Sequence, residues 1–405
     1  MSKLQEEPSS LKRSLTLPLL VFYGVGTMLG LGIYIFIGKV IGTAGMLAPM
    51  AFVIASIVAV FSGLSFGELA GRVPKSAGEM NFIHRAFNLK WLSAIMGWLI
   101  VLSVIVSTAT ALNGYVGYVH VFVDLPRWLI VTSVILILTA VAAWGITESA
   151  RLILIVSILD VAALIFIMFL TGDVLAQLPT RIGEMVPSFQ LSDWSLLFSA
   201  AFLAFYMFIG FEDMVNLSEE VKRPGKNMAR GIWIALAIVA VIYLIISTIA
   251  VLAPVSLANS EAPIAELLRS EAPGFEKIVS VVPLITLING VLVQVIVGAR
   301  LMYGMAEKKM APKIFHRVNP ITRTPIFATF FIGVFIIVLA LNFSLLSLGK
   351  ASVFILIIVF ILCNLSLIVL KRRNPDPEGV HTFPMIVPVL GFVFSLAILC
   401  LQIFY

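Results

Sequence analysis

The chain has 405 residues, of which 60% are hydrophobic and only 12% charged, with a net charge of +6 and a mean hydropathy of +1.10. Soluble globular domains carry about 25% charged residues, so this composition excludes one and reads as an integral membrane protein. The small positive charge calls for no nucleic-acid partner. The two cysteines, Cys363 and Cys400, lie in apolar runs without the spacing of a metal site or a disulfide framework.

Residues 1–16 are polar and lead straight into an apolar run with no cleavage signature, which predicts an N-terminal cytoplasmic segment and an uncleaved first helix. A bilayer crossing needs about 20 predominantly apolar residues. That length predicts eleven spans, at 17–38, 46–67, 92–119, 127–145, 149–171, 194–216, 230–253, 278–305, 325–342, 345–370 and 384–404. The connecting stretches 172–193 and 254–277 are long enough for short surface helices.

With the N-terminus inside, only Lys39, Arg127, Arg181, Arg269, Lys277 and Lys350 fall on the outer side. The other 21 of the 27 basic residues fall inside, as positive-inside orientation requires. An odd number of spans puts the C-terminus outside. Spans 1–5 and 6–10 then run in opposite senses, so 17–171 and 194–370 form two repeats and 384–405 a peripheral helix.

The first span holds Gly24, Gly26, Gly30, Gly32 and Gly38. Each interior glycine costs a helix roughly 1 kcal/mol relative to alanine. Unpaired backbone at membrane depth occurs only where it is buried in protein or lines a cavity. A break at Gly30-Leu31-Gly32 is therefore expected. Span 6, the counterpart of span 1, is also interrupted, at Tyr206-Met-Phe-Ile-Gly210-Phe-Glu212-Asp213. A matched pair of interrupted helices points to a transporter's binding site. The competing reading of the glycines is close helix packing, preferred for Gly24, Gly26 and Gly38.

Three blocks resemble the amino acid–polyamine–organocation superfamily of permeases. They are Met28-Leu-Gly30-Leu-Gly32-Ile-Tyr; Gly210-Phe-Glu212 followed by Glu219-Glu220-Val-Lys222-Arg-Pro224; and Arg300-Leu-Met-Tyr303-Gly-Met-Ala306 with Pro312. Glu68-Leu-Ala with Pro74-Lys-Ser-Ala-Gly78-Glu79, and Lys371-Arg-Arg-Asn-Pro-Asp376, support it. The resemblance implies an all-α integral membrane fold of two inverted five-helix repeats with broken helices 1 and 6. It also implies a secondary amino acid transporter working by alternating access in the cytoplasmic membrane. Most members have twelve spans, so the peripheral last helix is expected to be missing here, and a monomer or weak dimer is expected.

In the expected site, the second half of span 1 offers N–H groups at the Gly30, Leu31 and Gly32 break to a substrate carboxylate. The carbonyls of Met28, Tyr206 and Ile209 offer themselves to its ammonium. Leu31 departs from the small or hydroxyl residue common in the family and would narrow the pocket. The resemblance makes Tyr206 and Phe211 gating aromatics, with Phe208 in the core. Glu212 and Asp160 are ionisable at membrane depth and so are coupling candidates. Each also has a structural reading, Glu212 as the acceptor for free N–H groups after the break. Asp213 is read as structural. Ser103, Ser107, Thr108, Asn289, Gln294 and Ser352 are side-chain pocket candidates, Ser107 and Asn289 foremost. Arg300 and Tyr303 with Glu219 and Glu220 are candidates for an inner latch.

The coupling ion is expected to be H+ rather than Na+. No metal or organic cofactor is expected, and the partners are an amino acid and the bilayer. A polyamine or organic-cation carrier and an amino-acid-sensing receptor are the alternatives. An enzyme is disfavoured, because His84, His120, His316 and His381 lie at span edges or in loops without ligand spacing.

Overall fold

The computed structural model describes residues 13–75, 78–145 and 150–404. Among these the chain is helical, and its one β-type contact is an isolated bridge between Leu15 and Val221. The helices are α1 (Leu17–Ala44), α2 (Ala48–Arg72), α3 (Gly78–Phe87), α4 (Lys90–His120), α5 (Arg127–Trp144), α6 (Ala150–Thr171) and α7 (Leu178–Arg181). There follow α8 (Leu191–Phe205), α9 (Pro224–Leu252), α10 (Pro263–Glu271), α11 (Glu276–Glu307), α12 (Ile326–Asn342), α13 (Leu345–Arg373) and α14 (Ile386–Phe404).

Among the described residues, eight helical stretches are long and apolar enough to cross a membrane, and Leu17–Gly30, Ile326–Asn342 and Ile386–Gln402 are shorter apolar helices. A helix lies over every predicted span. The surface explains the composition: Trp144, Phe169, Trp128 and Ile137 are largely exposed, as side chains facing lipid are. The long connections carry α7 with flanking 3-10 turns and α10, as their lengths predict.

Local chemistry sets several boundaries. Proline occupies the first turn of α1, α2 and α9, where a missing N–H costs nothing. Ser344 caps α13, its Oγ accepting from the Ser347 N–H at 3.2 Å. α5 ends at Gly145, whose φ of +91° is left-handed.

α1 is the central helix. It packs against α6, α8, α9 and α11, while α2 lies on α9, α4 on α11 and α13, and α14 on α13 and α2. Leu29, Ile33, Tyr34, Phe36 and Ile37 of α1 are all buried.

Glu68 is fully buried and accepts from Arg72 Nη2 at 2.7 Å and from Lys371 Nζ at 2.8 Å. It also accepts the Phe383 N–H at 2.9 Å. Arg72 Nη1 donates to the Asn374 carbonyl at 2.7 Å. This cluster ties the end of α2 to the end of α13 and to the connection into α14. Tyr303, a latch candidate from sequence, stacks on His316, with ring centroids 5.1 Å apart and planes 8° from parallel.

One expectation is corrected. α1 runs without interruption from Leu17 to Ala44, so the break predicted at Gly30-Leu31-Gly32 is not present. The glycines serve close packing instead. A Cβ on Gly32 would lie 2.6 Å from the Met207 Cα, and one on Gly30 would lie 2.5 Å from Thr286 Cγ2. With α-helical backbone at both, no N–H is released there.

Candidate functional site

The break predicted in the sixth span is present. α8 stops at Phe205, a 3-10 turn covers Tyr206–Phe208, and a second 3-10 stretch begins at Glu212. Between them Gly210 adopts a φ of +123°, which side chains other than hydrogen rarely tolerate. Glu212 caps the break, its Oε2 accepting the Gly210 N–H at 2.9 Å. The Gly210 carbonyl lies 3.1 Å from Thr27 Oγ1, whose one proton it shares with the Tyr23 and Gly24 carbonyls of α1. A Cβ on Gly210 would lie 2.9 Å from the Thr27 carbonyl carbon.

The crossing of α1 with this break is closed. The Tyr243 hydroxyl of α9 lies 2.8 Å from the Met28 carbonyl oxygen and 2.7 Å from that of Met207, sharing its one proton between them. The Tyr206 carbonyl accepts the Ile209 N–H at 3.1 Å. Of the three carbonyls assigned to an ammonium, Met28 and Tyr206 thus already have donors. The Tyr206 ring packs on Phe36 with centroids 4.3 Å apart, and its hydroxyl donates to the Ser107 carbonyl at 3.3 Å. Phe211 stands elsewhere, in an aromatic cluster with Phe66 and Phe360 at 5.6 and 5.1 Å. Phe208 is in the core against Tyr243. The side chain of Leu31 lies outside the described residues.

Asp160 is brought to the other side of α1. It is fully buried, and its Oδ1 accepts from Thr286 Oγ1 at 2.6 Å and from the Tyr34 hydroxyl at 3.3 Å. Its Oδ2 has no hydrogen-bond partner. That oxygen faces Gly30, where a Cβ would stand 3.4 Å away.

Next to Gly30, between α1, α6, α11 and the Gly210 break, lies a small cavity of about 50 Å³. Asp213, Asn289 and Gln294 line it, with Thr27 and Ser157, set among Gly26, Gly30, Val156 and Val293. Asp213, expected to be structural, is on this wall. Gln294 is only 6% exposed, and its side-chain oxygen lacks a partner. Near the cavity, at the start of α3, Glu79 is buried. Burial, reinforced by the Asp213 charge, pushes its carboxyl up to about 7.

Of the remaining pocket candidates, Asn289 lines the cavity, whereas the hydroxyls of Ser103, Ser107 and Thr108 bond back to Ile100 and Val104 carbonyls of their own helix. Ser352 is buried with an unpartnered hydroxyl. Tyr243 escaped the sequence reading. A tyrosine in an apolar span gives no local signal of the two carbonyls it meets.

The amino acid permease family matches residues 15–405. The chain is 26% identical to the branched-chain amino acid permease BcaP of Bacillus subtilis, over 96% of this chain and 87% of that protein. It is 27% identical to the vacuolar cationic amino acid transporter 4 of Arabidopsis thaliana, over 91% of this chain and 65% of that protein. It is 24% identical to the methylthioribose transporter of Bacillus subtilis, over 96% and 87% of the two lengths. A match over nearly the whole chain, apolar helices over every predicted span and a glycine break where the family blocks placed one lead to one assignment: the chain is a multi-pass membrane protein that belongs to the amino acid permease family of the amino acid–polyamine–organocation superfamily.

Proposed function

We propose that this permease is a secondary active transporter that carries an amino acid by alternating access, coupled to H+ or to exchange. The observation that carries the reading is the Gly210 break of α8 pressed against the glycine face of α1, with buried Asp160 beside it. Substrate would enter that crossing when α1 opens at Gly30–Gly32. Its carboxylate would then take N–H groups of Gly30, Leu31 and Gly32, and its ammonium the carbonyls of Met28, Tyr206 and Ile209. In the closed crossing described above, Tyr243 stands where the ammonium would donate. Tyr206 is the gate on this reading.

Asp160 is the coupling group we favour. Its unpartnered Oδ2 is placed to receive a proton beside the moving helix, whereas Glu212 is occupied in holding Gly210. Eleven crossings in two inverted repeats, N-terminus inside and C-terminus outside the cytoplasmic membrane, complete the proposal; the alternation of basic residues supports it.

The test is uptake into proteoliposomes of a panel of labelled amino acids, with and without a proton gradient, sodium or internal amino acid. Accumulation driven by the proton gradient or by exchange is expected. Absence of uptake and exchange for every amino acid would sink the proposal. Asp160→Asn should abolish the pH dependence while exchange persists; an unchanged pH and sodium dependence would remove Asp160 from the coupling step.

A further inference from the structure

We propose that the cavity beside Gly30 is a hydrated proton path, in which Asp213 takes up the proton, water carries it along α1, and the Thr286 hydroxyl hands it to Asp160. The inference rests on the transport reading above and supplies the route by which Asp160 is loaded and discharged.

The lining leads to Asp160. Along α1 it runs from Tyr23 to Gly30 and along α11 from Gln294 back to Thr286, about 10–12 Å in each case at 1.5 Å per residue. From α6 it takes Val156 and Ser157, one turn before Asp160 on the same face. On the topology proposed above, Tyr23, Ser157, Asp213 and Gln294 lie to the inner side of Gly30, Thr286 and Asp160. Unbroken α1, packed on Thr286 at Gly30, walls the path off from the Gly210 crossing, so proton and amino acid use opposite sides of one helix.

The cavity suits water. Its 50 Å³ is several times the roughly 10–15 Å³ that one water needs, and Asp213, Asn289 and Gln294 offer polar partners. Gln294 is the independent sign. A side-chain oxygen removed from bulk water and left without a donor is rare in folded proteins, and a cavity water supplies the donor. At the inner end, Glu79 of α3 and Glu212 face Asp213. Burial, with the Asp213 charge adding to it, holds the Glu79 carboxyl up at about 7, so a proton exchanges here near neutral pH.

The far end is Thr286, which both lines the cavity and reaches Asp160. Its Oγ1 lies 2.6 Å from Asp160 Oδ1 and 2.9 Å from the Val282 carbonyl oxygen. Around Asp160, α1 adds the Tyr34 hydroxyl, and α9 adds that of Tyr243, whose proton goes to the Met28 and Met207 carbonyls. In the transfer Asp213 gives its proton to a cavity water. An O–H of the resulting hydronium breaks as one forms on Thr286 Oγ1, and the original Thr286 O–H breaks as one forms on Asp160 Oδ1. Hydroxyl and water are regenerated, and Asp160 is left neutral. A half-turn of its carboxyl exchanges the two oxygens, and the reverse sequence discharges it.

The test follows Asp160 in the purified full-length chain in detergent by the infrared C=O stretch of its protonated carboxyl, the band that Asp160→Asn removes. The band is recorded after a rapid fall and a rapid rise in pH. Thr286→Val keeps the shape and should slow its appearance and its decay alike by about 100-fold, the lower end of what a positioned proton-transfer group contributes. Thr286→Ser keeps the hydroxyl and should restore both rates. A merely structural loss of the hydrogen bond would move the protonation midpoint without slowing both directions. Gln294→Leu removes an unpartnered oxygen, dries the cavity and should slow both rates severalfold; it decides the matter if Thr286→Val does not fold.

Unchanged rates in Thr286→Val and Gln294→Leu would overturn the path, as would slowing that Thr286→Ser shares. A wild-type band absent at every pH would remove the path and the coupling role of Asp160 together, leaving amino acid uptake to be judged by the proteoliposome assay. Hydroxyl-dependent kinetics in a chain that takes up no amino acid would keep the path and sink the transport reading.

Discussion

α1 and α8 both bring glycine to one crossing, and they use it in opposite ways. After α8 ends, Gly210 takes a φ of +123°, and Glu212 and Thr27 bind its freed N–H and carbonyl. In α1, Gly30 and Gly32 stay helical and let Thr286 and Met207 approach. Glycine therefore marks closeness in one helix and a change of backbone direction in the other. What separates them is the partner of the backbone. The break has a carboxylate two residues on that caps it, and α1 has no such cap near Gly32. On the proposed transport cycle the capped break would hold the geometry while α1 moves.

Gly210→Ala should have the largest effect. A methyl group there is strained by the left-handed backbone, at about 1–3 kcal/mol, and overlaps the Thr27 backbone 2.9 Å away. A fall in the melting temperature of the detergent-solubilised protein of many degrees is expected, or loss of the folded peak. Gly32→Ala also overlaps backbone, at 2.6 Å from Met207 Cα, but its φ is unstrained and α1 can swing away. It should melt closer to wild type and lose transport. Equal melting temperatures for the two variants would break the distinction between a fixed and a moving helix.

Glu212 should come next. Glu212→Ala leaves the Gly210 N–H buried without an acceptor, a cost of about 1–3 kcal/mol. Glu212→Gln keeps an oxygen in place and should cost under about 1 kcal/mol. If the two substitutions destabilise alike, the negative charge rather than the hydrogen bond holds the break. If Glu212→Gln melts as wild type yet loses proton-linked uptake, Glu212 shares the coupling assigned to Asp160.

This contrast also shows what the sequence can express. The spans were legible because hydropathy is a sum over about 20 residues, and a few misplaced ones do not move it. Their ends were less so. The first span was predicted to stop at Gly38, but α1 continues to Ala44, with Lys39 donating to the Ala258 carbonyl at 3.1 Å and Gly38 packed against the Leu257 carbonyl. The break at Gly210 was legible through its neighbours Glu212 and Asp213. The helicity of Gly30–Gly32 was not, since close packing and unwinding ask for the same residue. The pairing of Glu68 with Lys371, 303 positions apart, and the facing of Asp213 into the cavity depend on tertiary placement that no local pattern records.

The smallest effect bears most directly on how the crossing opens. The Tyr243 hydroxyl donates to Met28 and Met207 carbonyls, one on each side of the crossing. Tyr243→Phe removes that donor with little change of shape, and about 1 kcal/mol of stability should go with it. The empty, closed state bears this loss in full. A state with a substrate ammonium on the Met28 carbonyl bears less, because the ligand replaces the hydroxyl. The variant should therefore melt lower without ligand yet bind its amino acid about fivefold tighter, as a 1 kcal/mol difference between the two states requires. Weaker binding in Tyr243→Phe would mean that the hydroxyl contacts the substrate directly, and the crossing would then be a shared site rather than one from which Tyr243 is displaced.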